Sequence, residues 1–234
     1  MSYRDKKVTL IIVAAGKGTR LNSKVKKQYL LIKNKPVIYY SLHFFEHNQS
    51  IDEVIIVTSK EDVLYCKEEV VLKYGFEKVK NIVAGGEERY QSVFAGLEAV
   101  KNTDIVLIHD AARPFLTPEI IDNVIENALL YKAAVPAVNV KDTIRVADKH
   151  MFSEKTPNRN LLWAIQTPQA FDYHLLLQAY NTLFEKKHEK LNITDDAMVI
   201  ESMLKIKVKI TQGDYRNIKI TTKDDIVTIS NFLQ

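Results

Sequence analysis

The sequence predicts an α/β fold, a mostly parallel sheet covered by helices on both faces, in one domain spanning residues 1–234 with a β-arm at about 139–162. Three observations predict it. Short apolar runs rich in β-branched residues, such as IDEVIIVT at 51–58 and DIVLI at 104–108, alternate with segments whose apolar residues recur at helical spacing. The central runs show no polar alternation, which marks strands buried on both faces, as in a parallel sheet. Each Gly-rich or charged cluster in the first half follows the end of such a run, where open α/β sheets bind their ligands.

Taken in order, residues 7–13 form the first strand, which passes directly into the turn Ala14-Ala15-Gly16-Lys17-Gly18-Thr19-Arg20. Pro36 stands in the first turn of a helix running to about His47, with Val37, Ile38, Tyr40, Ser41, Phe44 and Phe45 on its inner face. Residues 51–58 are the second strand. A helix over 61–74 then turns Val63, Leu64, Val70 and Val71 inward, and Gly75 closes it as a C-cap. Residues 80–83 make a short third strand that empties into Ala84-Gly85-Gly86, and 88–100 is the next helix. The fourth strand, 104–108, ends in His109-Asp110-Ala111-Ala112-Arg113-Pro114. Thr117 as N-cap and Pro118 at the first helical position start a helix, and 133–138 is the fifth strand.

From Lys141 to about Trp163 the alternation stops. A strand-like stretch at 142–147, a turn at 148–150 and a polar run at 151–159 containing Pro157 are flanked by apolar strand-like residues, so the expectation is an ordered arm that could grip a partner subunit rather than a loose loop. Helices follow at 173–187 and 195–204, then a last strand at 207–211, the stretch Gly213-Asp214 to Asn217–Thr221, and a terminal helix opened by Thr222-Lys223-Asp224-Asp225 with capping-box spacing. Nothing resembles a repeat or an interdomain linker.

With 46% hydrophobic and 26% charged residues, the 234-residue chain has the balance of a globular protein with a substantial core. A net charge of +4 spread over scattered lysines does not imply nucleic-acid binding, and suits small anionic substrates. The one cysteine, Cys66, sits in a charged helical stretch without a nearby His and reads as an incidental thiol. No apolar run approaches the ~18 residues of a membrane span, and MSYRDKK lacks the apolar segment of a signal peptide, so a cytoplasmic protein without membrane attachment is expected.

Four constellations carry the chemistry. In the first, Ala14, Ala15, Gly16 and Gly18 let a ligand approach the backbone, whose N–H groups can bind phosphate oxygens beside Lys17, Arg20, Lys24, Lys26 and Lys27. It is neither a P-loop, which would need glycine at Ile12, nor the dinucleotide fingerprint, which would need a small residue at Leu21. The plainer alternative is a tight strand-to-helix turn with solvated lysines. Displacement at phosphorus needs fixed cations rather than a protein nucleophile, and Arg20 and Lys27 could be those cations. In the second, Gly85 and Gly86 allow a flat base against the backbone while Glu87 or Ser92 bonds its polar edge; a Gly-Gly turn can also be only a turn.

In the third, Asp110 at the end of a buried strand suits ribose hydroxyls or a magnesium ion, with a loop cap as its alternative; His109 reads as structural. The fourth gathers Thr143, Arg159, Thr167, Thr194 and Lys219, hydroxyl and cationic residues suited to a second anionic substrate, part of it presented by the arm across a dimer interface. No Ser/His/Asp order, Cys/His metal spacing or Gly-x-Ser-x-Gly elbow supports a hydrolase or zinc enzyme. The reaction these constellations suggest is direct nucleotidyl transfer.

In order and spacing, AAGKGTR, KKQYL, GGEERYQSV, HDAARPF, KDTI, LLWAIQTPQAF, ITDDA and NIKITTKDD resemble the 2-C-methyl-D-erythritol 4-phosphate cytidylyltransferases of non-mevalonate isoprenoid synthesis, from about Val8 to the C-terminal helix. The resemblance implies a Rossmann-like sheet of the nucleotide-diphospho-sugar transferase type, Mg2+ as cofactor and a homodimer with interlocked arms. It implies CTP binding by Ala14, Ala15, Gly16, Gly18, Gly86, Glu87, Ser92, Asp110 and Ala111, with Asp110 toward the metal. Arg20, Lys27 and Lys219 take the catalytic roles, and Thr143, Arg159, Thr167 and Thr194 hold the polyol phosphate, Arg159 serving the partner's site.

Two departures stand out. Glu87 occupies a position where the family commonly has Asp, and Lys26 one where it commonly has Pro, which predicts a less restrained loop before Lys27. The rival readings are a ribitol 5-phosphate cytidylyltransferase, which shares the CTP half, and a catalytically silent nucleotide-binding subunit, which would not need both Arg20 and Lys27.

Overall fold

The computed structural model describes residues 5–16, 25–185 and 192–233. In chain order the elements are β1 (Val8–Val13), a 3-10 turn (Lys27–Tyr29), β2 (Leu31–Ile32), β3 (Lys35–Pro36), α1 (Val37–His47), β4 (Glu53–Thr58), α2 (Val63–Tyr65), β5 (Val79–Ala84), α3 (Arg89–Glu98), β6 (Ile105–Asp110), α4 (Pro118–Tyr131), β7 (Ala133–Asn139), β8 (Val146–Ala147), β9 (Ser153–Lys155), β10 (Trp163–Ile165), β11 (Gln169–Asp172), α5 (Tyr173–Glu185), α6 (Asp196–Leu204), β12 (Lys209–Gln212) and α7 (Lys223–Phe232).

The first half forms a parallel array in which β1 lies between β4 and β6 and β5 pairs with β4. β11 lies antiparallel between β6 and β7, which makes those two parallel to each other, and β12 joins β7 in the same direction. β10 also meets β7 antiparallel, at 137–139, ahead of β11 at 133–134. The expected mostly parallel sheet is therefore present, with an antiparallel element in its middle that the sequence reading left out. β10 and β11 have only three and four residues around Pro168, too short to show any period.

Successive strand residues point to opposite faces, and both faces are covered. Leu10, Ile12, Ile56 and Leu107 pack with Leu42 and Phe45 of α1 and Val124 and Ile125 of α4. Ile11, Val57, Val106 and Ile108 pack with Val93 and Leu97 of α3 and Leu176 and Tyr180 of α5. This double burial is why the strands read as unbroken apolar runs. A third cluster joins Ile32 of the small hairpin to Ile220, Ile229 and Leu233, and so seats the C-terminal helix. The hairpin turn is made by Lys33 and Asn34 at φ 48° and 63°, the two left-handed residues a tight two-residue turn demands.

Several expected boundaries move. Pro36 is the N-cap of α1 rather than its first residue, and Leu42, not Phe44, is the fully buried partner of Phe45. The single helix expected over 61–74 is a 3-10 turn, α2 and a π-helical stretch Cys66–Leu72. That winding leaves Leu64 64% exposed, against the expectation, and turns Cys66 into the core, where burial pushes its thiol up to about 12. Gly75, at φ 67°, closes the segment as its C-cap. α3 begins at Arg89 with Glu88 and Gln91 in a reciprocal capping box, and α7 begins with Thr222 and Asp225 in another. β6 runs two residues past the expected end, so His109 and Asp110 are paired strand residues opposite Ile12 and Val13. The arm is ordered as β8 and β9, an antiparallel pair whose residues are exposed.

Candidate active site

At the carboxyl edge of β1, β5 and β6 lies a cavity of about 430 Å³. Its walls bring together ten residues singled out in the sequence: Ala14, Ala15 and Gly16 from the turn after β1, Lys27 from the 3-10 turn, Gly86, Glu87 and Ser92 around the start of α3, Asp110 and Ala111 at the end of β6, and Lys219 ahead of α7. Gly18 and Arg20 lie outside the described residues. Close packing underlies the wall at Gly85. A Cβ at Gly85 would fall 2.8 Å from that of Ala15 and 2.5 Å from Ser92 Oγ, so glycine lets the two walls meet.

The turn around Lys27 is held from below. Gln28, 1% exposed, donates its side-chain N–H to the Ala14 carbonyl, and the buried Tyr29 hydroxyl bonds Thr58 Oγ1 at 3.0 Å. Lys26 is fixed as well: its ammonium donates to Ser59 Oγ at 2.6 Å, Glu61 Oε1 at 2.8 Å and Asp62 Oδ2 at 2.7 Å. Where the family commonly has Pro, this chain therefore places a bonded lysine; the loop before it, residues 17–24, lies outside the described residues.

Asp110 is the electrostatic centre. Its Oδ2 accepts from Lys219 Nζ at 2.6 Å and its Oδ1 from Arg89 Nε at 3.3 Å. Burial alone would raise this carboxyl, but Arg89, Lys219 and Arg113 outweigh it and hold Asp110 well below the ordinary carboxylate range. Arg89 also grips the fully buried Asp196 through both terminal nitrogens, at 3.1 and 2.7 Å, and Tyr180 donates to the same carboxylate at 2.6 Å. Burial works against the Arg89 charge, yet the two aspartates raise it well above its ordinary value. Arg89 thus links the end of β6 to the start of α6.

Behind Asp110 a hydrogen-bond chain defines the state of His109. The Asp110 N–H donates to Thr167 Oγ1 at 3.1 Å, Thr167 Oγ1 lies 3.1 Å from His109 Nδ1, and His109 Nε2 lies 3.1 Å from the Arg113 carbonyl. A carbonyl can only accept, so Nε2 carries the proton and Nδ1 accepts from Thr167. Burial lowers His109 to about 4, which keeps it neutral, and its structural reading holds.

Four residues assigned to the acceptor are not in the cavity wall. Thr167 is 4% exposed and its hydroxyl is spent on His109 and Asp110. Thr194 is exposed, with its hydroxyl 3.7 Å from Met198 Sδ. Thr143 lies in the exposed arm, and Arg159 lines a separate depression with Lys141 and Tyr215, donating to the Lys141 carbonyl at 2.9 Å. Three residues that the sequence reading gave no role complete the support: Arg89, Gln28 and Gln169. Gln169 Oε1 accepts the Asp196 and Ala197 N–H groups at 3.2 Å each, and its Nε2 donates to Asp195. Their motifs were visible, but a residue that acts on another side chain leaves no period or spacing of its own.

A small-residue turn, two lysines and a cation-held aspartate at the carboxyl edge of a parallel sheet define a nucleotidyltransferase site. The relatives make it particular. Residues 8–234 match the family model described as 2-C-methyl-D-erythritol 4-phosphate cytidylyltransferase, and the chain belongs to that family. It is 49% identical to the enzyme of that name from Caldanaerobacter subterraneus, over 97% of this chain and 99% of the other, and 44% identical to that of Lachnoclostridium phytofermentans over 94% of each. It superposes on the crystal structure of 4-diphosphocytidyl-2C-methyl-D-erythritol synthase from Anaerococcus prevotii with a TM-score of 0.83, at 33% identity, covering 98% of this chain and 99% of that one. The chain is accordingly a cytidylyltransferase, an enzyme that transfers CMP from CTP to 2-C-methyl-D-erythritol 4-phosphate and releases pyrophosphate. Among the described residues no helix is long and apolar enough to cross a membrane.

Proposed function

We propose that the reaction proceeds by direct in-line attack of a methylerythritol phosphate oxygen on the α-phosphorus of CTP, in isoprenoid precursor synthesis, with Arg20, Lys27 and Lys219 as the cations that stabilise the charge developing on the transferred group and on the departing pyrophosphate. The observation that carries this is the convergence of Lys27 and Lys219 on one cavity with the turn 14–16 and Asp110. Among the described lining residues no side chain is set up as a nucleophile by an adjacent base, and the protein's part in this reading is to place two anions and neutralise them. Ala14, Ala15, Gly16 and Gly18 would hold the phosphates; Gly86, Glu87 and Ser92 the cytosine; Asp110 and Ala111 the ribose end. Lys219 would pass from Asp110 to the α-phosphate.

Mg2+ fits this site as an ion carried in on the nucleotide. Asp110 offers a carboxylate beside the phosphate turn, and among the described residues no cluster of three or more His, Cys, Asp or Glu would hold an ion without phosphate. Bound there, it would neutralise phosphate charge. The acceptor is assigned to Thr143, Arg159 and Thr194, with Arg159 and Thr143 delivered by the partner's arm in a homodimer, while Thr167, bonded behind Asp110, serves by fixing that residue. Supporting that assembly, the arm exposes Met151 at 84%, Phe152 at 73% and Leu161 at 76%, apolar surface that a second copy would cover. A lone, buried Cys66 suits a reducing, cytoplasmic setting.

Pyrophosphate release from CTP and Mg2+ tests the reading, with methylerythritol phosphate and ribitol phosphate as acceptors in parallel. Release with the first acceptor is expected; release with ribitol phosphate alone would move the acceptor assignment, and CTP binding without release would make this a silent member. Lys27→Ala is expected to bind CTP while losing turnover by orders of magnitude.

A further inference from the structure

The contacts of Lys26 bridge two segments that line the cavity. On one side stands the 3-10 turn Lys27–Tyr29; on the other is the segment after β4, of which Ser59, Lys60 and Glu61 line the same cavity. The Lys26 ammonium spans the two with three bonds of 2.6 to 2.8 Å, and its side chain is only 24% exposed. Asp62, at 18%, is the shielded partner, and Glu61, at 69%, the solvated one.

We propose that Lys26 is a positioning residue for the transfer reaction: its tether to Ser59, Glu61 and Asp62 clamps the Lys27 turn to the segment after β4 that lines the same cavity. The proposal rests on the role given to Lys27. Two physical points argue for it. The backbone of Lys26 sits at φ −62° and ψ 141°, a conformation proline would hold unaided, so here the side chain does by charge what a ring does by covalent restraint. And Gln28 and Tyr29 anchor the turn at Ala14 and Thr58, with the Tyr29 ring against Tyr65, while Lys26 adds three bonds to the segment after β4. The hydrogen bond from Lys26 leads the effects that hold Glu61 down at about 2, and Asp62 and Glu61 raise Lys26 against the effect of burial.

The test compares Lys26→Met, Asp62→Asn, their double variant and Lys26→Pro by amide hydrogen exchange over residues 25–30 and by steady-state turnover with CTP. Each single variant is expected to speed exchange in that window and to lower kcat about 10-fold, since two anchors remain. The double variant should be no worse than the worse single, because both remove one bridge. Lys26→Pro should restore most of the turnover, which a role for the charge itself would not allow. Unchanged exchange in the single variants overturns the tether, as do additive losses in the double; faster exchange at full turnover overturns its role in the reaction. Lys27→Ala measured alongside separates the two readings: full turnover there withdraws the role of Lys27, and the exchange data still decide whether Lys26 fastens the turn.

Discussion

Lys219 Nζ stands 2.6 Å from Asp110 Oδ2, a contact between residues 109 positions apart. It closes the cavity by joining the end of a central strand to the irregular stretch before α7, and Ile220 fixes the register: its side chain is buried in the C-terminal cluster and its N–H donates to the Ala112 carbonyl at 2.8 Å. Lys219, its neighbour, is left facing Asp110.

Lys219→Met should therefore reach beyond binding. Asp110 is depressed in the folded state, so it contributes stability that is present above its unfolded value near 4 and is lost as pH falls through the folded value. Removing one of the cations that hold it down should move the acid limb of a urea-midpoint profile to higher pH, and turnover should fall about 100-fold or more. An acid limb that stays in place would mean that Arg89 and Arg113 hold the carboxylate without Lys219.

Arg89→Met should destabilise the fold by about 3–5 kcal/mol, because among the described bonds it leaves the carboxylate of the fully buried Asp196 with the Tyr180 hydroxyl alone. Arg89→Lys should recover little, since an ammonium cannot reproduce the two-pronged grip at 3.1 and 2.7 Å. Denaturant midpoints check both, and Arg89→Met with Asp196→Asn should cost less than the sum of the two.

His109 should not titrate above pH 5 in the folded enzyme. Its folded value near 4 lies below the ordinary 6.5, so the unfolded chain binds more protons between them. Stability from this residue is present above about 6.5 and is lost as pH falls toward 4, a change of about 3 kcal/mol. Imidazole chemical shifts followed from pH 8 to 4 read it directly; a midpoint near 6.5 in folded protein would show that the Thr167–His109–Arg113 chain is not held as described.

Gly85→Ala should raise the KM for CTP about 10-fold with a smaller effect on kcat. The added methyl would meet Ala15 Cβ at 2.8 Å and Ser92 Cβ at 3.0 Å, both in the cavity wall, and must push them apart. Gly16→Ala, where nothing lies within 4 Å of the added carbon, is the contrasting substitution and should leave the packing of that wall unchanged.

Most of the sheet was legible because its strands are buried on both sides and could be nothing else. The turn after β1, the glycines before α3 and the Asp at the end of β6 were legible because each follows such a strand, and strand ends converge in a parallel sheet. β10 and β11 were not legible. Neither is long enough to carry a period, and β11 owes its place to pairing with β6 and β7 rather than to local preference. Leu64 was misplaced because a regular helix was assumed where the chain winds as a π-helix.

By itself the sequence determined the class of fold, the edge of the sheet that carries the chemistry and the family, since these depend on hydrophobic order and on motifs in series. Only the tertiary structure decided which charges meet. That Lys219 rests on Asp110, that Arg89 spans Asp110 and Asp196, and that Lys26 is bound rather than loose are contacts over 109, 21, 107 and 33 to 36 positions. Such pairings are set when the sheet closes and brings remote loops together, and no local pattern encodes them.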